Sequence, residues 1–176
     1  EAHYLFGLDE RRIEVVVHPQ QAIHGLVMFR DGSMNAGMAV PDMCVPMAHC
    51  LAYPERIESG AKRLSLIEMG KLEFFAPDLE RFPCLRLARE ALQGGGALST
   101  VMNAANEVAV AAFLDGRISF GDIFTAVNTV MNLPGTAALP EPQSVNEAIS
   151  VDQVARIRTR EVLSGALGRV TVASVL

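Results

Sequence analysis

The residues of this chain best equipped for chemistry crowd into one short stretch. Ala39-Val40-Pro41-Asp42-Met43-Cys44-Val45-Pro46-Met47-Ala48-His49 sets two methionines, a cysteine and a histidine around two prolines, with Met34, Met38 and Cys50 close by. Thioether, thiol and imidazole are soft or borderline donors, a set that suits copper(I). Methionine, however, more often fills irregular apolar space than binds metal, so the stretch reads as packing before it reads as a metal site. His18 and His24 lie near one another, yet no Ser-His-Asp order and no H-E-x-x-H accompanies them, and each reads as a structural histidine. Asn103, Asn106 and Glu107 share one side of a helix by their i+3 and i+4 spacing, which predicts a polar face or buried amides that cross-link helices. Asp78, Glu80 and Arg81 beside Pro77 read as a solvated turn. There is no G-x-G-x-x-G and no Walker A loop. The triplet Gly94-Gly95-Gly96 follows a helical pattern, not a strand, and cannot cradle a phosphate in the usual way.

The elements that must position these residues fall into two regimes. Residues 13 to 40 alternate like strands, with Ile13, Val15 and Val17 on one side of the first. Ile23 to Arg30 and Ser33 to Val40 flank Asp31-Gly32, a dipeptide that favours a two-residue type I′ turn. That turn would pair Arg30 with Ser33, Leu26 with Gly37 and His24 with Ala39. One face would then carry His24, Leu26, Met28, Asn35, Gly37 and Ala39, and the other an apolar, buried set of Ile23, Val27, Phe29, Met34, Met38 and Val40. After Pro41, Val45, His49 and Ala52 share one side of a short helix that Asp42 begins and Pro54 ends. Residues 53 to 80 lack sustained periodicity and read as a connector with a short strand at Leu72 to Phe75.

From Phe82 the pattern turns helical. Pro83 suits the first turn of a helix to about Leu92, closed by the glycine triplet. Ser99 or Thr100 can cap the next, whose stripe is Val101, Ala105, Val108, Ala109, Ala112 and Phe113. Phe120 to Met131 forms a third. Ser144-x-x-Glu147 and Ser150-x-x-Gln153 are overlapping capping boxes before a last helix over Val151 to Leu163. The fold class expected is α+β: a small β-sheet with a hairpin and covering helix over residues 1–52, a connector over 53–80, and an α-helical bundle over 81–176.

Composition narrows the function classes. The chain has 176 residues, half of them hydrophobic, enough to bury a core. Its 15 basic and 20 acidic residues give a net charge of -5, and it has no Trp and only 2 Tyr, a poor footprint for nucleic acid. Three cysteines without C-x-x-C spacing argue against a disulfide framework or structural zinc and for a reducing, cytoplasmic setting. No apolar run reaches the roughly 18 residues of a membrane helix. A start at Glu1 leads us to expect a piece of a longer protein.

Ordered motifs then point to one family. Ile13-Glu14-Val15-Val16-Val17-His18-Pro19-Gln20, Ile23-His24, Asp31-Gly32-Ser33, Pro41-Asp42-Met43 and Pro46-Met47-Ala48-His49 closely resemble the 1-deoxy-D-xylulose 5-phosphate reductoisomerase family. So do Ala76-Pro77-Asp78, Arg81-Phe82-Pro83-Cys84-Leu85 and the run Asn103 to Leu114. The resemblance implies an oxidoreductase and isomerase that converts 1-deoxy-D-xylulose 5-phosphate to 2-C-methyl-D-erythritol 4-phosphate in non-mevalonate isoprenoid precursor biosynthesis. It implies NADPH and Mg²⁺, Mn²⁺ or Co²⁺ as cofactors, a homodimer in the cytoplasm, and no nucleic-acid or membrane partner. It also implies that this is the C-terminal portion, without the NADPH-binding domain, the metal-binding carboxylates or the Asn-Lys-Gly phosphate segment. The chain alone would then be inactive and hold no cofactor tightly.

Carried over residue by residue, Pro41 and Met43 match the turn that lines the nicotinamide and substrate pocket, and His24 matches a substrate-adjacent histidine. No catalytic residue and no metal ligand is assigned to this chain. Gln21 stands where the family usually has serine, Ala39 where it has glycine, Cys44 where it has arginine, and Tyr53 where tryptophan is common. The rival reading from another class is a free-standing dimerisation or scaffold module.

Overall fold

The computed structural model describes the backbone of residues 2–173 and the side chains of residues 2–165. In chain order the elements are α1 (Ala2–Phe6), a 3-10 turn (Glu10–Arg12), β1 (Ile23–Met28), β2 (Met34–Met38), α2 (Cys44–Ala52), α3 (Leu66–Met69), α4 (Cys84–Gly94), α5 (Leu98–Leu114), α6 (Phe120–Met131), α7 (Pro134–Ala137) and α8 (Val145–Ala173). The class is α+β, with a two-stranded antiparallel sheet and a helical bundle. Two compact units divide the chain: Glu14–Pro77, and Glu1–Ile13 with Asp78–Leu176.

The Glu14–Pro77 unit is built on the hairpin. Its loop has three residues, not the expected two. Gly32 N donates to Phe29 O at 3.1 Å, Gly32 takes φ +85°, and Phe29 N donates to Ser33 O at 2.9 Å. This is the type I turn followed by a left-handed glycine that closes three-residue hairpins. Asp31 holds it from within, its Oδ1 accepting from the Ser33 N–H at 2.9 Å and the Ser33 hydroxyl at 2.6 Å.

The extra residue shifts the register by one. Met28 faces Met34, Leu26 faces Ala36 and Gly25 faces Gly37, until an irregularity between Ile23 and Gly25 sets Ile23 opposite Met38. A one-residue slip moves the whole second strand to the opposite face, so the expected grouping of Met34 with Val27 and Phe29 does not form. Nor is that face buried, since Val27 is 57% and Phe29 47% exposed. Two further expected strands shrink to one bridge, Val17 with Phe75. Among the described residues of this unit only Ala22 is fully buried.

The helical unit carries the core. The expected stripe on α5 is real, with Val101, Ala104, Ala105, Ala109 and Ala112 buried. Small side chains let α6 and α8 approach closely; Leu87, Ala91, Val127, Val130 and Ala155 join Val101, Ala104 and Ala105 in the main cluster, while Ala109 and Ala112 pack in a second one with Ile123 and Ala126. Gly96 has φ +55°, and a Cβ there would lie 2.6 Å from the Leu139 carbonyl oxygen; the glycine triplet thus permits a close backbone crossing as well as ending α4. Ala97, not Ser99 or Thr100, precedes α5, with no side-chain cap. Ser119 and Asp122 form a capping box on α6.

One last helix replaces the expected start at Val151. Ser144 Oγ accepts from the Glu147 N–H at 3.2 Å, so α8 begins at Val145. Ser150 lies inside it, its hydroxyl donating back to Asn146 O at 2.9 Å instead of capping.

Candidate functional site

The stretch from Gln21 to Arg56 folds around one open cleft of about 600 Å³, lined in part by His24, Ala39, Pro41, Met43, His49 and Arg56. Three local devices shape it. Gln21 adopts φ +51° at the end of a turn closed by its N–H donating to His18 O at 3.2 Å, which swings the chain into β1. At the irregularity in β1 the His24 ring leaves the ladder, and its Nε2 lies 3.2 Å from Ala39 O. After Pro41, Asp42 Oδ1 accepts from the Cys44 N–H at 2.8 Å and starts α2.

These contacts fix chemistry. A carbonyl oxygen can only accept, so His24 donates from Nε2, and in its uncharged form Nδ1 is left as an acceptor. His18 is held differently. Its Nδ1 donates to Glu73 O at 2.9 Å, its ring stacks on Phe74 with centroids 4.8 Å apart, and its Nε2 is buried without a partner. That is a structural histidine, as expected. Gln20 strengthens the same junction through two hydrogen bonds with Glu73.

The lip is apolar and open, with Met43 72% and Met47 58% exposed. A proline ring and a flexible thioether give a planar ligand van der Waals contact without a competing hydrogen bond. Asp42 has its carboxyl held below the usual range by hydrogen bonds from the Cys44 backbone and side chain. The same aspartate pushes the Cys44 thiol up, so Cys44 stays a thiol, the less reactive form. Cys44 does not line the cleft, whereas Gln21 and Ala39, two of the residues that depart from the family pattern, do. Among the described residues no three His, Cys, Asp or Glu side chains are grouped to hold a metal ion.

Asn103 and Glu107 are elsewhere, in the bundle. Asn103 donates to Glu107 Oε1 at 3.0 Å, and Arg156 on α8 donates to Glu107 Oε2 at 2.5 Å and to Asp152. They cross-link α5 to α8. Arg56 and His49 escaped the sequence reading as cleft-lining residues: a lone arginine in an aperiodic connector gives no signal, and a helical stripe does not say which side chains line a cleft.

The profile of the DXP reductoisomerase C-terminal domain matches residues 38–158. The chain belongs to the DXP reductoisomerase C-terminal domain family. It is 45% identical over 164 residues to the 1-deoxy-D-xylulose 5-phosphate reductoisomerase of Proteus mirabilis, covering 93% of this chain and 41% of that protein. To the enzyme of the same name from Afipia carboxidovorans it is 52% identical over 157 residues, covering 89% and 39%.

Among solved structures, the Zymomonas mobilis reductoisomerase in complex with NADPH superposes with a TM-score of 0.83 at 41% identity, over 92% of this chain and 42% of that one. A DOX-P reductoisomerase in complex with NADPH, fosmidomycin and magnesium gives 0.87 at 38% identity, over 93% and 41%. The chain therefore spans about two fifths of the length of the relatives it matches. Among the described residues no helix is long and apolar enough to cross a membrane.

Proposed function

We propose that this chain is the C-terminal portion of an enzyme that converts 1-deoxy-D-xylulose 5-phosphate to 2-C-methyl-D-erythritol 4-phosphate, on the route to isoprenoid precursors. The observation that carries this reading is its 45% to 52% identity, across about nine tenths of the chain, to reductoisomerases. Residues 1–52 belong to the catalytic and dimerisation domain, 53–80 to the connector and 81–176 to the supporting bundle.

NADPH supplies the hydride when bound, and a divalent cation stabilises negative charge on the substrate oxygens. This chain's own contribution is the wall of the pocket. Pro41 fixes the turn, Met43 packs on the face of the nicotinamide and keeps water from it, and His24 supports the polar network beside the substrate.

The enzyme is a homodimer, a reading supported by a hairpin whose apolar residues lie open on both faces. It works in the cytoplasm, for which three exposed free cysteines are suited by their need for a reducing setting. The isolated chain is inactive, because hydride carrier and cation both need residues it does not supply. The test is oxidation of NADPH dependent on 1-deoxy-D-xylulose 5-phosphate, compared between the complete protein and this chain alone. Turnover by the former only is expected. Turnover by the chain alone, or no turnover by the complete protein, overturns the reading.

A further inference from the structure

We propose that His49 is a ligand-binding residue of the cleft, a ring that holds its proton on Nε2 and donates it to an oxygen of the bound molecule. This rests on the cleft being the pocket wall described above. His49 lies in α2, which runs from Cys44 to Ala52, and it lines the cleft together with His24, Pro41 and Met43. Its Nδ1 has no accessible surface and no hydrogen-bond partner. A proton placed there would strand a donor in dry packing, at the full desolvation cost of that group. An unpaired acceptor is the more tolerated arrangement. In the uncharged ring the proton therefore belongs on Nε2, the nitrogen left open, and Tyr53 steadies the ring edge-on at 5.7 Å between centroids.

The two cleft histidines are thereby made complementary. His24 gives its Nε2–H to Ala39 O and keeps an acceptor, while His49 keeps a donor. The rim carboxylate, Asp42, has Oδ1 engaged by the Cys44 N–H, and His49 has no protein acceptor among the described residues. The cleft thus has a donor waiting for an oxygen. The carboxamide oxygen of a nicotinamide and a hydroxyl, carbonyl or phosphate oxygen of the sugar phosphate share that chemistry, and kinetics separate them.

The tautomer is read directly by long-range proton–nitrogen NMR on the complete protein with ¹⁵N-labelled histidine, at a pH where the ring is uncharged. A protonated Nε2 and a bare Nδ1 are expected; a protonated Nδ1 overturns the proposal. In the complete protein, His49→Gln puts an amide nitrogen near the Nε2 position and His49→Asn puts one near Nδ1. His49→Gln should keep KM within about threefold, and His49→Asn should raise one KM about tenfold, the loss of about one hydrogen bond. A raised KM for NADPH assigns the oxygen to the cofactor, and a raised KM for the sugar phosphate assigns it to the substrate. Equal kinetics in the two variants, whether intact or impaired, overturns the proposal. A Gln–Asn split that persists while Met43→Ala is silent supports His49 as a donor and sinks the nicotinamide-wall reading instead.

Discussion

The ring of His24 reaches across the irregularity in β1 to donate from Nε2 to the carbonyl oxygen of Ala39, 3.2 Å away. This one contact ties the strand that carries the histidine to Ala39, two residues before Pro41.

His24→Ala in the complete protein is expected to lower kcat/KM by about tenfold or more. Because the bond is solvent-exposed, its net worth to stability is at most about 1 kcal/mol. Paired measurements of kcat/KM and Tm check this. A large loss of Tm with normal kinetics would make His24 a structural residue.

Gly32 sustains φ +85° in the hairpin loop, a conformation that costs a residue with a Cβ roughly 1 kcal/mol. Gly32→Ala should destabilise the hairpin by about that amount and Gly32→Asn by less. Faster hydrogen exchange at the Phe29 amide, which donates to Ser33 O, is the readout. Unaltered exchange in Gly32→Ala would contradict the left-handed conformation at Gly32.

The two units differ in how much they bury. In the isolated chain, amides of α5 and α6, which carry the core cluster, should exchange on the order of hundredfold more slowly than those of β1 and β2. Exchange mass spectrometry measures the ratio. Equal protection would mean that the hairpin unit is covered by something other than its own side chains.

Glu107 links α5 to α8. Arg156 first, and then Asn103, holds its carboxyl below the usual range. A folded-state value lower than the unfolded one stabilises the protein above the unfolded value, near 4.3, and that stabilisation is lost as pH falls through the folded value. Glu107→Gln should therefore be less stable than the parent at neutral pH, with the gap closing in acid. Urea midpoints across pH test this, and a gap that widens on acidification would contradict it.

How much of this was legible in the sequence depends on the kind of signal. The bundle was readable because Val101, Ala105 and Ala112 repeat at helical spacing and such repeats survive small errors at helix ends. Ser150 misled because a capping box and an interior serine bonded to the carbonyl four residues back look alike until the helix start is known. In the hairpin, Asp31-Gly32 was the right turn at the wrong length: Asp31 folds onto Ser33, Gly32 becomes the third loop residue, and β2 turns over. The closeness of His24 to Ala39 survived by another route: the irregularity carries the register one residue further from the expected pairing, and the His24 ring, not the ladder, reaches Ala39 O. Tautomers and cleft walls were out of reach, since they depend on which atom neighbouring residues cover.

The central claim is that the lip formed by Pro41 and Met43 belongs to the reductoisomerase active site. Its most direct test is kcat/KM of the complete protein for 1-deoxy-D-xylulose 5-phosphate, wild type against Met43→Ala. With Met43 72% exposed here, truncation should leave Tm nearly unchanged, while loss of its contact to the nicotinamide should cut kcat/KM by about tenfold. An unchanged kcat/KM would contradict the account.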